Sequence, residues 1–392
     1  MNMETIKLDS VIVDIAAGPF GSNLKVSCFV DYGFPIIDGA NLKGYKVTDN
    51  ITKYVTEEKA NSLYRSIAHR NDVIVTISGT LGQIAYIPND SAYEAYLCSQ
   101  RQFRVTFDEK RVFVPYIVYY FHTYEGQHKI LSFANQTGVP ALSQPLKNFK
   151  NIEINLPSLE IQKRIASILL SIDEKIELNN KINENLEQQA QALFKAWFVD
   201  FEPFGGVMPE NWEKKSLGEI SEMSAGGDKP KNATEIPTTE NTVPIYSNGI
   251  SNEGLYGFTD KAKIVEESVT VSARGTIGYV CLRQTPYVPI VRLITIIPRT
   301  SIVSAKYIYL HLKTMNISGT GTTQQQLTVP NFKSTELSIP NITVINKFTS
   351  IVNPMFEKIK DNKIENQRLA SLRDTLLPKL MNGEIDVSEV QI

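Results

Sequence analysis

Two short loops hold residue types that could do recognition chemistry, and they read almost alike: "SGTLGQ" (Ser78–Gln83) and "SARGTIGY" (Ser272–Tyr279). Others of the same character are "GPFGSNLK" (Gly18–Lys25), "SQRQF" (Ser99–Phe103), "NQTG" (Asn135–Gly138), "YSNG" (Tyr246–Gly249) and "GTGTTQQQ" (Gly319–Gln326). Arg, Lys, Asn and Gln are the side chains that read base edges in a major groove. Ser, Thr and backbone N–H groups hold phosphates, and Gly lets a backbone approach closely. The same residues also suit ordinary turns, so one such loop carries little. The weight comes from recurrence, because a Gly-Thr-x-Gly loop and a Thr-Gly loop stand in both halves of the chain.

The elements that must position these loops recur too. "EKIELNN" (Glu174–Asn180) is echoed by "EKIKDNK" (Glu357–Lys363), an offset of 357 − 174 = 183. At that offset Thr137-Gly138 matches Thr320-Gly321, "NFK" at Asn148–Lys150 matches "NFK" at Asn331–Lys333, and Leu156-Pro157 matches Ile339-Pro340. Upstream, "VTISGTLGQIAYI" (Val75–Ile87) resembles "VTVSARGTIGYVCL" (Val269–Leu282), and "VPYIVYY" (Val114–Tyr120) resembles "AKYIYLH" (Ala305–His311). A two-copy repeat of this length means duplicated domains, not a solenoid. The boundaries predicted are a globular domain at 1–157, a helix at 158–200, a second domain at 201–340 with a linker at 201–211, a helix at 341–383 and a tail at 384–392.

Each globular half mixes β-like runs ("DVIVTIS", "RQFRVTF"; "ESVTVSA", "VRLITII") with one short helix near Tyr116 or Tyr307, an α+β pattern. From Ser158 to Phe198 there is neither Gly nor Pro. Ser158 can cap a helix, and Glu160 suits its positive end. Apolar residues recur at helical spacing: Ile165, Ile168, Leu169, Ile172, Ile176, Ile182, Leu186 and Leu193. The second copy runs Phe348, Ile351, Val352, Met355, Ile359, Leu369, Leu372 and Leu376, with Pro354 predicting a kink or a late start. A helix of this length is roughly 60 Å, too long to lie inside either domain. Each stripe needs a partner, and the simplest is the other, antiparallel if a pseudo-twofold relates the halves. Asn179 and Asn362 fall in both stripes, where a buried Asn would fix register; an exposed Asn on a wet face is the other reading.

Composition narrows the function. The net charge is −2. Residues 1–157 carry 15 basic and 15 acidic side chains and residues 212–340 carry 13 and 11. Any contact with nucleic acid is therefore local or shared with a partner. The cysteines Cys28, Cys98 and Cys281 fit neither disulfide pairing nor zinc spacing. The N-terminus lacks a signal-peptide pattern and no apolar run reaches membrane length, so a cytoplasmic chain is expected. Four histidines form no evident constellation. There is no Walker loop, no H-E-x-x-H, and no Asn/Asp-Pro-Pro-aromatic motif of an amino-methyltransferase. No metal site and no catalytic residue are expected.

With "LPSLEIQKRIASIL" (Leu156–Leu169) opening the first long helix, the chain resembles the specificity subunit of Type I restriction–modification systems. "FKAWFVDFEPF" (Phe194–Phe204), "MPENWEKKSLGEI" (Met208–Ile220) and "LRDTLLPKLMNGEI" (Leu372–Ile385) carry the same resemblance. It departs at "IPNITVINKF" (Ile339–Phe348), which lacks the Glu-Gln-Lys-Arg-like run. The resemblance implies two target recognition domains, each reading half of a bipartite double-stranded DNA site, and paired helices acting as a ruler. It also implies two methyltransferase subunits holding S-adenosylmethionine and a restriction/translocase subunit as partners, with no chemistry on this chain. On residue type and loop position, the DNA contacts expected are Lys25, Thr80, Gln83, Arg101, Gln102 and Lys147, then Asn248, Arg274, Thr276, Gln324 and Gln325. A coiled-coil adaptor that binds only proteins is the competing function.

Overall fold

The computed structural model describes residues 3–135, 139–319 and 326–390, which divide into two units. One comprises 1–176 with 367–392, the other 177–366.

In the first unit, Val73–Thr76 is buried on both faces, as its unbroken apolar run requires. It lies inside a four-stranded antiparallel sheet ordered Ile12–Ala17, Gln102–Phe107, Val73–Thr76, Ile84–Tyr86. A second sheet is ordered Tyr54–Val55, Phe34–Ile37, Ala95–Cys98, Ile67–His69, with its middle pair parallel. The wholly buried helix Val114–Phe121 contributes Tyr116, Tyr119 and Phe121 to the core. The strand Met3–Lys7 pairs with Glu153–Pro157 and brings the chain to the start of the first long helix.

The second unit repeats this plan. Its sheet is ordered Ser221–Ala225, Ile294–Pro298, Ser268–Val271, Val280–Arg283. A three-stranded sheet joins Leu255–Thr259, Val243–Tyr246 and Val288–Pro289. The buried helix is Ala305–Thr314, and Glu213–Ser216 pairs with Glu336–Ile339 as Met3–Lys7 does with Glu153–Pro157.

The two long helices are Leu159–Phe198 and Ile342–Met381, 40 residues each. The first opens where the Ser158 carbonyl accepts from the Gln162 N–H at 3.0 Å. Gln162 is fully buried. Its side chain accepts from the Phe113 N–H at 2.8 Å and donates to the Arg111 and Pro157 carbonyls at 2.9 Å, tying helix to domain. Within the first unit, Ile165, Leu169 and Ile172 are buried, Ile168, Leu376 and Leu369 are half-buried, and Leu377 and Leu380 are buried. Arg373 donates to Asp173 at 2.7 Å, and Tyr119 donates to the other Asp173 oxygen. Within the second unit Phe348, Ile359, Asn179 and Asn362 are buried, and Leu186, Leu193, Met355 and Ile182 are half-buried. Asn179 donates to Asn366 and to Glu365, and Asn362 donates to Asn183, all at 2.8 Å. Ile176 is half-buried in the first unit.

Some sequence expectations need correction here. Ile351 and Leu372 are 39% and 47% exposed, whereas Val352, in the same stripe, is fully buried. The inward face here runs Phe348, Val352, Phe356, Ile359. The buried positions around Leu193 are Ala190, Phe194 and Phe198, whose aromatic rings meet Tyr307 and Phe348. Pro354 neither delays nor divides the second helix; it is exposed inside a continuous element. In the tail, Val387 is fully buried in the first core and Arg164 donates to the Val387 and Ser388 carbonyls. The linker 201–211 is likewise held, with Phe201 and Phe204 against Trp212 at ring-centroid distances of 5.6 and 5.4 Å. Among the described residues no helix is long and apolar enough to cross a membrane.

Candidate nucleic-acid interface

In the first unit, three loops singled out in the sequence leave the same end of one sheet. Ala17 pairs with Phe103, Thr76 with Gln102 and Val75 with Ile84. The segments 18–25, 77–83 and 99–101 therefore emerge side by side. They are also stitched together. The Gly18 N–H donates to the Gln102 carbonyl at 2.8 Å, and the Ile77 N–H donates to the Arg101 carbonyl at 2.7 Å. Gln100 donates to the Gly21 and Leu24 carbonyls at 2.9 and 2.6 Å. A fourth segment joins through Gly79 N–H to Pro140 carbonyl at 3.0 Å and Leu142 N–H to Ile77 carbonyl at 2.8 Å. Any side chain on Gly18 would collide with the Ser99 carbonyl, so this close approach requires glycine.

On this surface Lys25, Thr80, Arg101 and Lys147 are exposed, the last on the short helix Pro145–Lys150. Beside them a groove of about 810 Å³ is lined by Phe20, Asn23, Tyr64, Arg65 and Leu146, with Arg104 and Asp14 among its remaining walls. Arg104 donates to Asp14 at 2.6 Å and holds that carboxyl below the usual carboxylate range. The acid is thereby kept paired with Arg104, and Arg65 is an exposed basic residue of the groove lining. Two expected contacts are bonded to the protein instead. Gln102 is 1% exposed, and its carbonyl oxygen accepts from the Ser99 N–H and hydroxyl at 3.2 and 3.1 Å. Gln83 is half-buried, accepting from Thr76 at 3.2 Å and donating to the Gly39 carbonyl at 3.0 Å. Both hold the loops in place.

The second unit builds the same end of its own sheet, where Ala225 and Val271 pair with Ile294 and Val271 with Val280. The Gly-Thr-x-Gly loops take the same shape. Gly79 and Gly82 have φ of +93° and +85°; Gly275 and Gly278 have +69° and +83°. In each, the loop N–H before the turn returns to the carbonyl after it, Thr76 to Gln83 and Ser272 to Tyr279, at 3.0 and 2.9 Å.

Arg274 is exposed and donates to Gln326 at 3.0 Å. Thr276 is half-buried with an unpartnered hydroxyl among the described residues. Gln324 and Gln325, like the Thr137-Gly138 and Thr320-Gly321 match, lie outside the described residues. Asn248 is placed to position, since its amide donates to the Val291 carbonyl at 2.7 Å and its oxygen accepts from the Ala273 N–H at 2.8 Å. It ties the turn at 290–293 to the loop at 272–279. Arg65, Gln100 and Arg292 were missed in the sequence. For Arg292 a signal existed, because it precedes "LITII" as Arg101 precedes "QFRVTF".

Among the described residues no group of three His, Cys, Asp or Glu side chains could hold a metal ion. Residues 12–188 and 209–373 match the family described as Type I restriction modification DNA specificity domain. A Type I restriction enzyme MjaIX specificity subunit from Methanocaldococcus jannaschii is 28% identical over 86% of this chain and 82% of its own. A Type I restriction enzyme HindI specificity subunit from Haemophilus influenzae is 28% identical over 60% and 69%. A crystal structure of a Type-I restriction-modification system S subunit from M. genitalium shares the fold. It has a TM-score of 0.60 and 17% identity over 97% of this chain and 96% of that one.

Proposed function

This chain belongs to the Type I restriction modification DNA specificity family, and we propose that it is the DNA-recognition subunit of a Type I restriction–modification complex. Each globular domain reads one half of a bipartite site. The observation that carries this is the duplication itself: one chain holds two copies of a loop cluster at the same end of the same sheet. Each copy displays Arg, Lys or Thr on a braced glycine turn. Loops on a rigid scaffold are where recognition residues concentrate. Paired domains with different loops suit two different half-sites.

The long helices act as the spacer, packed antiparallel as a coiled coil. Support comes from the partners, which fall in number on one helix as they rise on the other: Asp173 with Arg373, Asn179 with Asn366, Asn183 with Asn362. The last two bonds are exchanged by the 183-residue repeat, since 179 + 183 = 362 and 183 + 183 = 366. Methyl transfer belongs to two methyltransferase subunits that bring S-adenosylmethionine, and cleavage to a restriction/translocase subunit. The reading is tested by mapping DNA methylation in cells carrying this chain with its methyltransferase subunit. One bipartite motif with a fixed gap is expected. Methylation without any such motif, or none at all, overturns it and leaves a protein-only adaptor.

A further inference from the structure

Building on the DNA-recognition reading, we propose that Arg292 is a specificity-determining residue of the second domain, donating its guanidinium fork to a base edge with two adjacent acceptors, as guanine presents in the major groove.

Its place in the fold is that of Arg101. The Gly18 N–H donates to the Gln102 carbonyl, and the Gly226 N–H to the Leu293 carbonyl, both at 2.8 Å. The Ser99 N–H meets the Ile37 carbonyl at 3.0 Å as the Ile290 N–H meets that of Tyr246 at 2.9 Å. Gln102 N–H returns to Ser99 at 3.2 Å as Leu293 N–H returns to Ile290 at 3.0 Å. Ser99–Gln102 and Ile290–Leu293 thus occupy the same place with the same flanking bonds, and each has an exposed arginine third.

The second copy is built at a cost. Val291 and Arg292 have φ of +53° and +61°, the left-handed region that favours Gly, Asn or Asp and is unusual for a β-branched residue. Burial does not compensate, because Val291 is 50% exposed. The tip is held by its surroundings: Val291 N–H to Gly227 carbonyl at 2.9 Å, Arg292 N–H to Gly226 carbonyl at 3.0 Å, and the Asn248 amide on the Val291 carbonyl at 2.7 Å. Strained, braced and exposed backbone is characteristic of a functional site. Beside the Gly227 carbonyl that holds this tip, the Lys263 ammonium lies 4.0 Å from where a Gly227 Cβ would sit. Among the described residues no hydrogen bond or ion pair engages the Arg292 guanidinium, whereas Arg274 is engaged by Gln326. In the first domain the turn takes no positive φ and is anchored instead by Gln100. The two domains therefore present their arginines on differently shaped tips.

The test is methylome mapping with the full complex, comparing wild type, Arg292→Ala and Arg292→Lys. A relaxed preference at one position of one half-site is expected, by roughly 10- to 100-fold in discrimination. The other half-site and the gap should not change. Lys should not restore the preference, because a point charge lacks the fork. If the Ala chain does not accumulate, the Lys chain decides by the same criterion. An unchanged motif overturns the proposal. So does a uniform loss of methylation with the motif intact and the salt slope of binding reduced by about one, the signature of a phosphate contact. Absence of any bipartite motif in wild type is a different result, the failure of the DNA-recognition reading itself.

Discussion

A polar side chain in a loop has two uses, reaching out to a ligand or holding the loop, and residue type does not separate them. Arg101, Thr80 and Arg274 stand outward, while Gln83, Gln102 and Asn248 are committed to the protein. Short amides near a chain turn find backbone partners readily, so residue type alone does not separate the two uses. Asn248→Ala removes one partner each from the Val291 carbonyl and the Ala273 N–H. A loss of about 2 kcal/mol is expected in urea unfolding, with blurring confined to one half-site of the methylation motif. Asn248→Asp keeps the bond from Ala273 and should recover part of the stability. A second residue governs acid stability. His311 is packed against Phe194 and Tyr307, at ring-centroid distances of 5.7 and 5.8 Å, and burial pushes its pKa down to about 4. An unfolded histidine titrates near 6.5, so as pH falls the unfolded chain takes the proton first. The stability tied to neutral His311 is complete above that value and is lost as pH falls from about 6.5 towards about 4, by up to about 3 kcal/mol. Urea unfolding from pH 7 to 4.5 should therefore fall less steeply for His311→Gln than for wild type; parallel curves would remove this role.

At the scale of elements, the sequence was legible where backbone geometry dictates composition. Both Gly-Thr-x-Gly loops adopt one shape because two of their positions need a positive φ. The span of the first long helix was legible from an unbroken run without Gly or Pro, and that of the second from its equivalence under the repeat, since it carries Pro354 and Pro378. What the repeat could not transfer is the facing of a side chain. Adjacent residues on a helix point about 100° apart, so of the stripe neighbours Ile351 and Val352 only Val352 is buried. Nor did the stripe single out Phe194 and Phe198, whose contacts come from a domain distant in sequence. The two glycines of the second loop make a comparison within one element. At Gly275 an added Cβ meets open space, so Gly275→Ala should cost only the left-handed backbone penalty, about 1 kcal/mol. At Gly278 the Cβ would lie 2.6 Å from the Ile317 carbonyl oxygen, so Gly278→Ala must also displace that strand of chain. The midpoint of urea unfolding should fall clearly further for the second variant, and equal midpoints would mean that the contact yields freely.

For the whole molecule, order along the chain was easier to read than attachment. The duplication was visible because two copies can be compared, whereas nothing in "GEIDVSEV" signals that Val387 is buried. A short terminal run has no periodicity to betray a core contact. The net charge of −2 likewise hides local placement, since Lys25, Arg101, Arg274 and Arg292 are exposed at the loop ends of two sheets. If these ends read half-sites and the helices set their separation, the helices should be adjustable without touching either reader. Seven residues keep an apolar face nearly in place, drifting about 20°, so a heptad can be added to each helix with its stripe preserved. Duplicating residues 175–181 in the first helix and 358–364 in the second keeps the added segments equivalent under the 183-residue repeat. Each helix then grows by about 10.5 Å, close to three base pairs at about 3.4 Å each. Methylome mapping should return both half-sites unchanged with a gap longer by about three base pairs. Adding the heptad to only one helix sets Asn179 and Asn362 against apolar positions and should lower the stability of the second unit instead. A doubly extended chain that still methylates at the original gap would show that the distance is set elsewhere in the complex.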